Sequence, residues 1–124
     1  MGQFDSLENH DYLNLKTFRG NGEGVPTPVW FYKNGDTIYI TTGMSSGKVK
    51  RISGNMQVEV APCDARGGLL GDFVPARADI LQTPEDRAEA HAFLAKKYGH
   101  TEFWSQSLND PQDPARAYLR VVPR

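Results

Sequence analysis

Hydrophobic and polar residues alternate along much of this chain, and a period of two marks a strand with one buried face. The pattern is clearest in VWFYKNGDTIYITT, from Val29 to Thr42. Asn34-Gly35 interrupts it. That dipeptide is the strongest short-range hairpin signal, because both central residues of a type I′ turn need φ > 0. A two-residue loop at Asn34-Gly35 predicts that Lys33 faces Asp36, Tyr32 faces Thr37, Phe31 faces Ile38, Trp30 faces Tyr39 and Val29 faces Ile40. Val29, Phe31, Ile38 and Ile40 then share one apolar face. Trp30, Tyr32, Thr37 and Tyr39 share the other, which is flat, aromatic and able to hydrogen-bond.

The same reading extends outward. Residues 3–10 allow one short helical turn. Tyr12 to Phe18 alternates as a strand, followed by a turn with three glycines at 20, 22 and 24. Val25 to Lys33 forms the next strand, where Pro26 and Pro28 each remove a ladder donor and imply an edge, a bulge or an exposed start. Ser45 or Ser46 can cap a short helix that runs to about Ile52 and ends at Gly54. Met56 to Ala61 is a strand, Pro62 to Gly68 a turn, and Leu69 to Ile80 strand-like but broken by Gly71 and Pro75. Thr83-Pro84-Glu85-Asp86 starts a helix with Thr83 as N-cap and Pro84 at the first helical position. It carries Ala90, Phe93, Leu94 and Tyr98 on one face and stops at Gly99. Asn109 to Pro114 is a loop, and Ala117 to Val122 a closing strand with Leu119 and Val121 inward. Five or six short antiparallel strands with a late helix predict a small barrel, a closure that also disposes of exposed sheet edges.

Composition narrows the possibilities. The chain has 124 residues, a net charge of −1 and one cysteine. Its length suits a single domain over residues 1–124 with a real core. The balanced charge recommends neither nucleic acid nor an anionic membrane as partner. One cysteine leaves no internal disulfide framework and no cysteine-based metal cluster. No apolar run approaches a membrane span, and MGQFDSLENHD has no basic-plus-hydrophobic leader, so a cytoplasmic location is expected.

Several chemical signals fail on inspection. Gly43-Met44-Ser45-Ser46-Gly47-Lys48-Val49 resembles a phosphate-binding loop, but its glycines are one residue too close. Val49 also stands where a Mg²⁺-binding hydroxyl belongs. His10, His91 and His100 lack metal-ligand spacing, no serine has a nucleophile context, and Cys63 reads as an inert buried residue. What survives is the basic group Lys48, Lys50 and Arg51 beside the Trp30 and Tyr39 face. Free backbone donors at a helix start attract anions together with positive side chains. Lys48 and Arg51, three apart, are expected to share a face, with Lys50 pointing elsewhere. A helix-start lysine is also expected to be exposed without ligand. The plainer alternatives are an ordinary basic surface, and aromatics that cover a helix or a partner subunit.

Three blocks, TFRGNGEGVPTPVWF, TTGMSSGKVKRI and VEVAPCDARG, carry a resemblance to a known family. Over residues 12–74 the chain resembles the small flavin- or deazaflavin-binding split-barrel proteins related to pyridoxamine 5′-phosphate oxidase, which include coenzyme F420-dependent enzymes. The resemblance implies an all-β split barrel with flanking helices, a homodimer, and one cofactor in each of two interface clefts. It implies that Pro28, Val29 and Trp30 line the ring system. Thr41 and Thr42 would approach the phosphate region, with Lys48, Lys50 and Arg51 neutralising it. The implied activity is hydride transfer between coenzyme F420, or alternatively FMN, and a small unsaturated substrate. No catalytic side chain is implied, since such chemistry belongs mainly to the cofactor. A non-catalytic flavin carrier and a structural dimer with an empty cleft are the readings from other classes.

Overall fold

The computed structural model describes residues 2–124. Met1, the first residue of the stretch searched for a leader, lies outside the described residues. Six strands are present: β1 (Tyr12–Phe18), β2 (Gly24–Asn34), β3 (Thr37–Gly43), β4 (Gln57–Cys63), β5 (Val74–Ile80) and β6 (Arg116–Pro123). Three α-helices flank them: α1 (Gly47–Gly54), α2 (Pro84–Tyr98) and α3 (Glu102–Ser107). All strand pairs are antiparallel and close a barrel in the order β1-β2-β3-β6-β5-β4. The expected all-β barrel with flanking helices is the architecture found.

Alternation explains the interior. Leu13, Leu15, Val29, Phe31, Ile38, Ile40, Val58, Val60, Leu119 and Val121 point inward and are buried, with Ala76 and Ala78 where space is short. Ile52 of α1 and Phe4 and Leu7, around a 3-10 turn at Asp5–Leu7, join the same cluster.

The hairpin forms with a different register. Asn34 pairs with Thr37, Lys33 with Ile38, Tyr32 with Tyr39 and Phe31 with Ile40. Gly35-Asp36 is therefore the two-residue loop, and of these turn residues only Gly35 has positive φ, +63°. A glycine alone at the first central position is the requirement of a type II′ turn, which spares Asn34 a left-handed conformation. Partners shift by two, so each side chain keeps its predicted face.

The outer face is not bare. Tyr39, Leu81, Ala90, Leu94, Tyr98, Trp104, Leu108 and Tyr118 form a second buried cluster, against which Trp30, Tyr32 and Phe93 pack. Phe93 of α2 stacks on both Tyr32 and Tyr39, with ring centroids 5.2 and 5.0 Å away. The aromatics predicted to offer a platform mostly seat the protein's own helix. That helix begins as expected, the Thr83 hydroxyl accepting from the Asp86 N–H at 3.1 Å. Helix α3, capped by Thr101 at the Trp104 N–H, was not predicted, because six residues are too few to show a period.

Every proline inside a strand lies where that strand has a strand partner on one side only. Pro26 and Pro28 pair with β1 alone, Pro62 with β1, Pro75 with β4 and Pro123 with β5. This extends β4 through Pro62 and Cys63, where a turn was expected. A proline costs nothing where its missing N–H had no partner.

Candidate functional site

The site arises where β2 and β3 part. They pair from the turn to Phe31 and Ile40. Beyond that point β2 follows β1, with Trp30 opposite Tyr12 and Pro28 opposite Asn14. Strand β3 follows β6 instead, with Thr41 opposite Tyr118 and Gly43 opposite Arg116. The divergence opens a cleft of about 230 Å³. Pro28, Val29 and Trp30 form one wall, Thr41 and Thr42 belong to the other, and Tyr12, Lys48, Phe103, Leu108 and Arg116 complete the lining. Six of the sequence-predicted residues thus come together: Pro28, Val29, Trp30, Thr41, Thr42 and Lys48.

Tyr98, the last residue of α2, holds the point of divergence. Its hydroxyl accepts from the Phe31 N–H at 3.0 Å and lies 2.8 and 2.7 Å from the carbonyl oxygens of Phe31 and Asp11. It has one proton to give, so it donates to one of these at a time. The tyrosine thereby satisfies strand groups that β1, which starts at Tyr12, does not reach. Burial raises the phenol well above its ordinary pKa, so it stays protonated. The Tyr98 ring also lies parallel to Trp30 at 4.3 Å, and Phe103 meets Trp30 edge-on at 5.6 Å. The indole is held between a buried ring and a half-exposed one, which fixes the wall of the cleft.

The opposite end of the cleft is cationic. Lys48 is half-buried, and burial, then Arg51, then Arg116 lower its pKa below that of an ordinary lysine. The expectation of an exposed lysine is corrected here: β6 brings Arg116 alongside and the two share one cleft. Arg116 donates to the Thr41 hydroxyl at 3.5 Å, that hydroxyl donates to the Ala117 carbonyl at 3.1 Å, and the Arg116 Nε is buried with no partner. Neither cation forms an ion pair among the described residues, and no acid lines the cleft. Ser46 stands at the N-cap of α1 without a side-chain capping bond, so the first turn keeps free backbone donors.

Arg116 is positioned by a second arginine. Arg87 of α2 is 7% exposed and has no carboxylate partner among the described residues. Its Nε donates to the Pro111 carbonyl at 3.1 Å, and its Nη2 to those of Asp113 and Arg116 at 2.8 and 3.1 Å. The guanidinium also lies 5.0 Å from the Tyr118 ring centroid. Arg87 therefore pins the loop that delivers Arg116.

Lys50 and Arg51 do not line this cleft, although Arg51 is the charge that lowers the Lys48 pKa most. Both line a separate hollow with Phe18, Arg19 and Gly20. The Arg51 Nε donates to the Thr17 hydroxyl of β1 at 2.6 Å, and a Cβ on Gly47 would come within 2.7 Å of the Arg51 Nη1. Glycine at 47 lets the arginine fold back toward Thr17 of β1.

Sequence reasoning missed Arg116, Tyr12, Phe103 and Leu108. Arg116 sits just before the predicted closing strand, and only its register against Gly43 distinguishes it from Arg120 and Arg124. His91 packs on Trp104 with its Nε2 2.6 Å from the Leu108 carbonyl, and Cys63 is buried. Among the described residues no cluster of potential metal ligands forms, and no helix is long and apolar enough to cross a membrane.

No family model matches the chain, and no curated protein matches it in sequence. Solved structures are similar in fold. A candidate pyridoxamine 5′-phosphate oxidase from Listeria innocua is 18% identical, with 95% of this chain aligned to 87% of that one at a TM-score of 0.68. HutZ, a heme storage protein from Vibrio cholerae, is 14% identical over 97% of this chain and 86% of its own, at 0.75. An F420 reductase is 20% identical over 98% and 92%, at 0.64. Identities this low speak for the backbone alone. The chain has the split-barrel fold of the pyridoxamine 5′-phosphate oxidase-like proteins.

Proposed function

We propose that this protein is an oxidoreductase that binds a deazaflavin, coenzyme F420, or alternatively FMN, in the cleft between β2 and β3. The observation that carries this reading is the pair Lys48 and Arg116, two cations with no acid between them, at the end of a slot walled by Trp30. A phosphate fits that end: it would supply the partner that the buried Arg116 Nε lacks and relieve the repulsion between the cations. Thr41 holds Arg116 in place, and Thr42 and the free amides of the first α1 turn add neutral donors. Trp30 and Pro28 would flank the edge of a planar ring, and Phe103 would screen it from water. The bound cofactor would supply the hydride-transferring ring, while the protein orients it and sets its electrostatic surroundings.

At about 230 Å³ the cleft is smaller than the 300–1,000 Å³ typical of sites for molecules of this size. We therefore assign the remaining wall to a second copy of the chain, making the enzyme a homodimer. Exposed Leu69, Leu70 and Phe103 are available for such a contact. The aromatic face no longer argues for a dimer, since α2 covers it. Light scattering should give twice 13.8 kDa.

One observation favours a passive carrier instead: the lining contains no Asp, Glu, His or Cys that could exchange a proton with a substrate. Reoxidation of the reduced, bound cofactor by enone or quinone acceptors supports the enzyme. Tight binding without turnover by any acceptor supports the carrier. The site itself is tested by titrating wild type and Lys48→Ala with FMN and with F420. A charged hydrogen bond is worth about 1.5–3 kcal/mol, so affinity should fall roughly ten- to a hundredfold. Apo stability should move by no more than about 0.5 kcal/mol, since the lysine makes no ion pair. If Lys48→Ala binds as tightly as wild type, the cleft assignment is wrong.

A further inference from the structure

The basic motif divides between two clefts, and the proposed function uses only Lys48. Lys50 and Arg51 face a hollow of about 750 Å³ between the β1–β2 loop and α1, a volume within the range of small-molecule sites. Its lining is Phe18, Arg19, Gly20, Gly22, Gly47, Lys50, Arg51, Gly54 and Asn55, with three cations and no acid.

Three features make this more than a basic surface. Arg51 is preorganised: its Nε is anchored to the Thr17 hydroxyl, and Thr17 is itself fully buried. The two Nη groups have no protein partner among the described residues, leaving the guanidinium fork unfilled. Such a fork matches two oxygens of one phosphate, and anchoring it in advance lowers the entropy lost on binding. Lys50, exposed and in no ion pair, lies on the same wall. Arg19 faces them from the loop; it is engaged with Glu23 at 2.9 Å through its Nε, which leaves its Nη donors. Finally, the wall is glycine-rich, and side chains absent at Gly20, Gly22 and Gly54 leave open space, each position having no atom within 4 Å of an added Cβ.

We propose that the hollow between the β1–β2 loop and α1 is a second anion site, separate from the β2–β3 cleft, which binds a small phosphate-bearing molecule with at least two negative charges. Arg51 grips one phosphate through its fork, and Lys50 and Arg19 neutralise the remaining charge. Lys48 belongs to the lining of one site and Arg51 to that of the other.

The test is a titration of the ¹⁵N-labelled full chain with inorganic pyrophosphate at constant ionic strength, following the Gly20 and Gly22 amide signals by NMR. These signals should move and saturate. Arg51→Gln should weaken binding about tenfold and Lys50→Gln about threefold, as expected for charge-assisted contacts. Lys50 is exposed, so its variant keeps the test decisive should Arg51→Gln disturb β1. Lys48→Ala should alter the Gly20 and Gly22 curves far less than Arg51→Gln does, which separates this site from the cofactor cleft. Shifts that never saturate would overturn the proposal. So would curves unaltered by both Arg51→Gln and Lys50→Gln, or curves abolished by Lys48→Ala.

Discussion

The two faces of the β2–β3 hairpin are built on different principles. Inside the barrel, Val29, Phe31, Ile38 and Ile40 pack into one apolar cluster, the Phe31 ring also meeting the Lys97 ammonium 3.8 Å from its centroid. Outside, Trp30, Tyr32 and Tyr39 meet Phe93 and Tyr98, and polar atoms take part in the packing. The inner face depends on volume, and a neighbour of similar size could replace most of its members. The outer face depends on direction: a phenol that ends a strand ladder, and a guanidinium that gathers three carbonyls. The cleft is built by the outer face, so the barrel should be separable from its site by mutation.

The largest effect is expected inside. Ile40→Ala empties a fully buried position and should cost about 3–4 kcal/mol of stability in urea unfolding. The fraction that stays folded should bind the cleft ligand nearly normally. Loss of binding out of proportion to unfolding would break the distinction between the faces. Next comes Arg87→Met, which strands three carbonyls and should cost about 2–3 kcal/mol. Unlike the core variant, it should also weaken ligand binding, by about the same factor as Arg116→Met. The double variant should bind no worse than Arg116→Met alone, because Arg87 acts through Arg116.

Tyr98→Phe keeps the ring against Trp30 but leaves the Phe31 N–H unsatisfied, at a cost of about 1–2 kcal/mol. Hydrogen exchange at Phe31 should quicken more than at the inward-facing Ile40. Equal acceleration at both would mean that the hydroxyl does not hold the ladder's end.

The smallest effect is a pH dependence. Lys48 titrates below its unfolded value, chiefly through burial and then through Arg51 and Arg116. Between that lowered value and about 10.4 the unfolded chain holds more protons, so apo stability rises with pH across this window. A bound anion favours the protonated lysine, so ligand affinity falls with rising pH over the same window. In Lys48→Met, fluorescence titrations from pH 7 to 10 should lose this component of the decline.

How far the sequence was legible follows the same division. Period-two alternation assigned the inward residues of β2, β3 and β6 correctly, because in a closed barrel the alternation has one meaning. The turn register was missed because Asn34-Gly35 and Gly35-Asp36 are both acceptable loops, and the ladder chooses between them. The cleft was partly legible: Pro28 to Trp30, Thr41, Thr42 and Lys48 converge on it. Arg116 was not, because its role comes from β6 lying beside β3 after a separation of more than seventy residues. The division of Lys48 from Arg51 was beyond helical spacing too. Arg51 is turned by Thr17, a residue on another strand, and by the missing side chain of Gly47.

The placement of the prolines has a consequence for solubility. A barrel that parts between β2 and β3 leaves a stretch of strand edge open, and an open edge invites another chain to add a strand. Pro26 and Pro28 remove two N–H donors from that stretch, and Pro75 and Pro123 do the same at other one-sided stretches. A ligand that needs a wall and a few side chains can still use the gap, whereas a β-strand seeking a regular ladder cannot. The proline pattern therefore lets the protein keep a seam between β2 and β3 without becoming a template for its own aggregation.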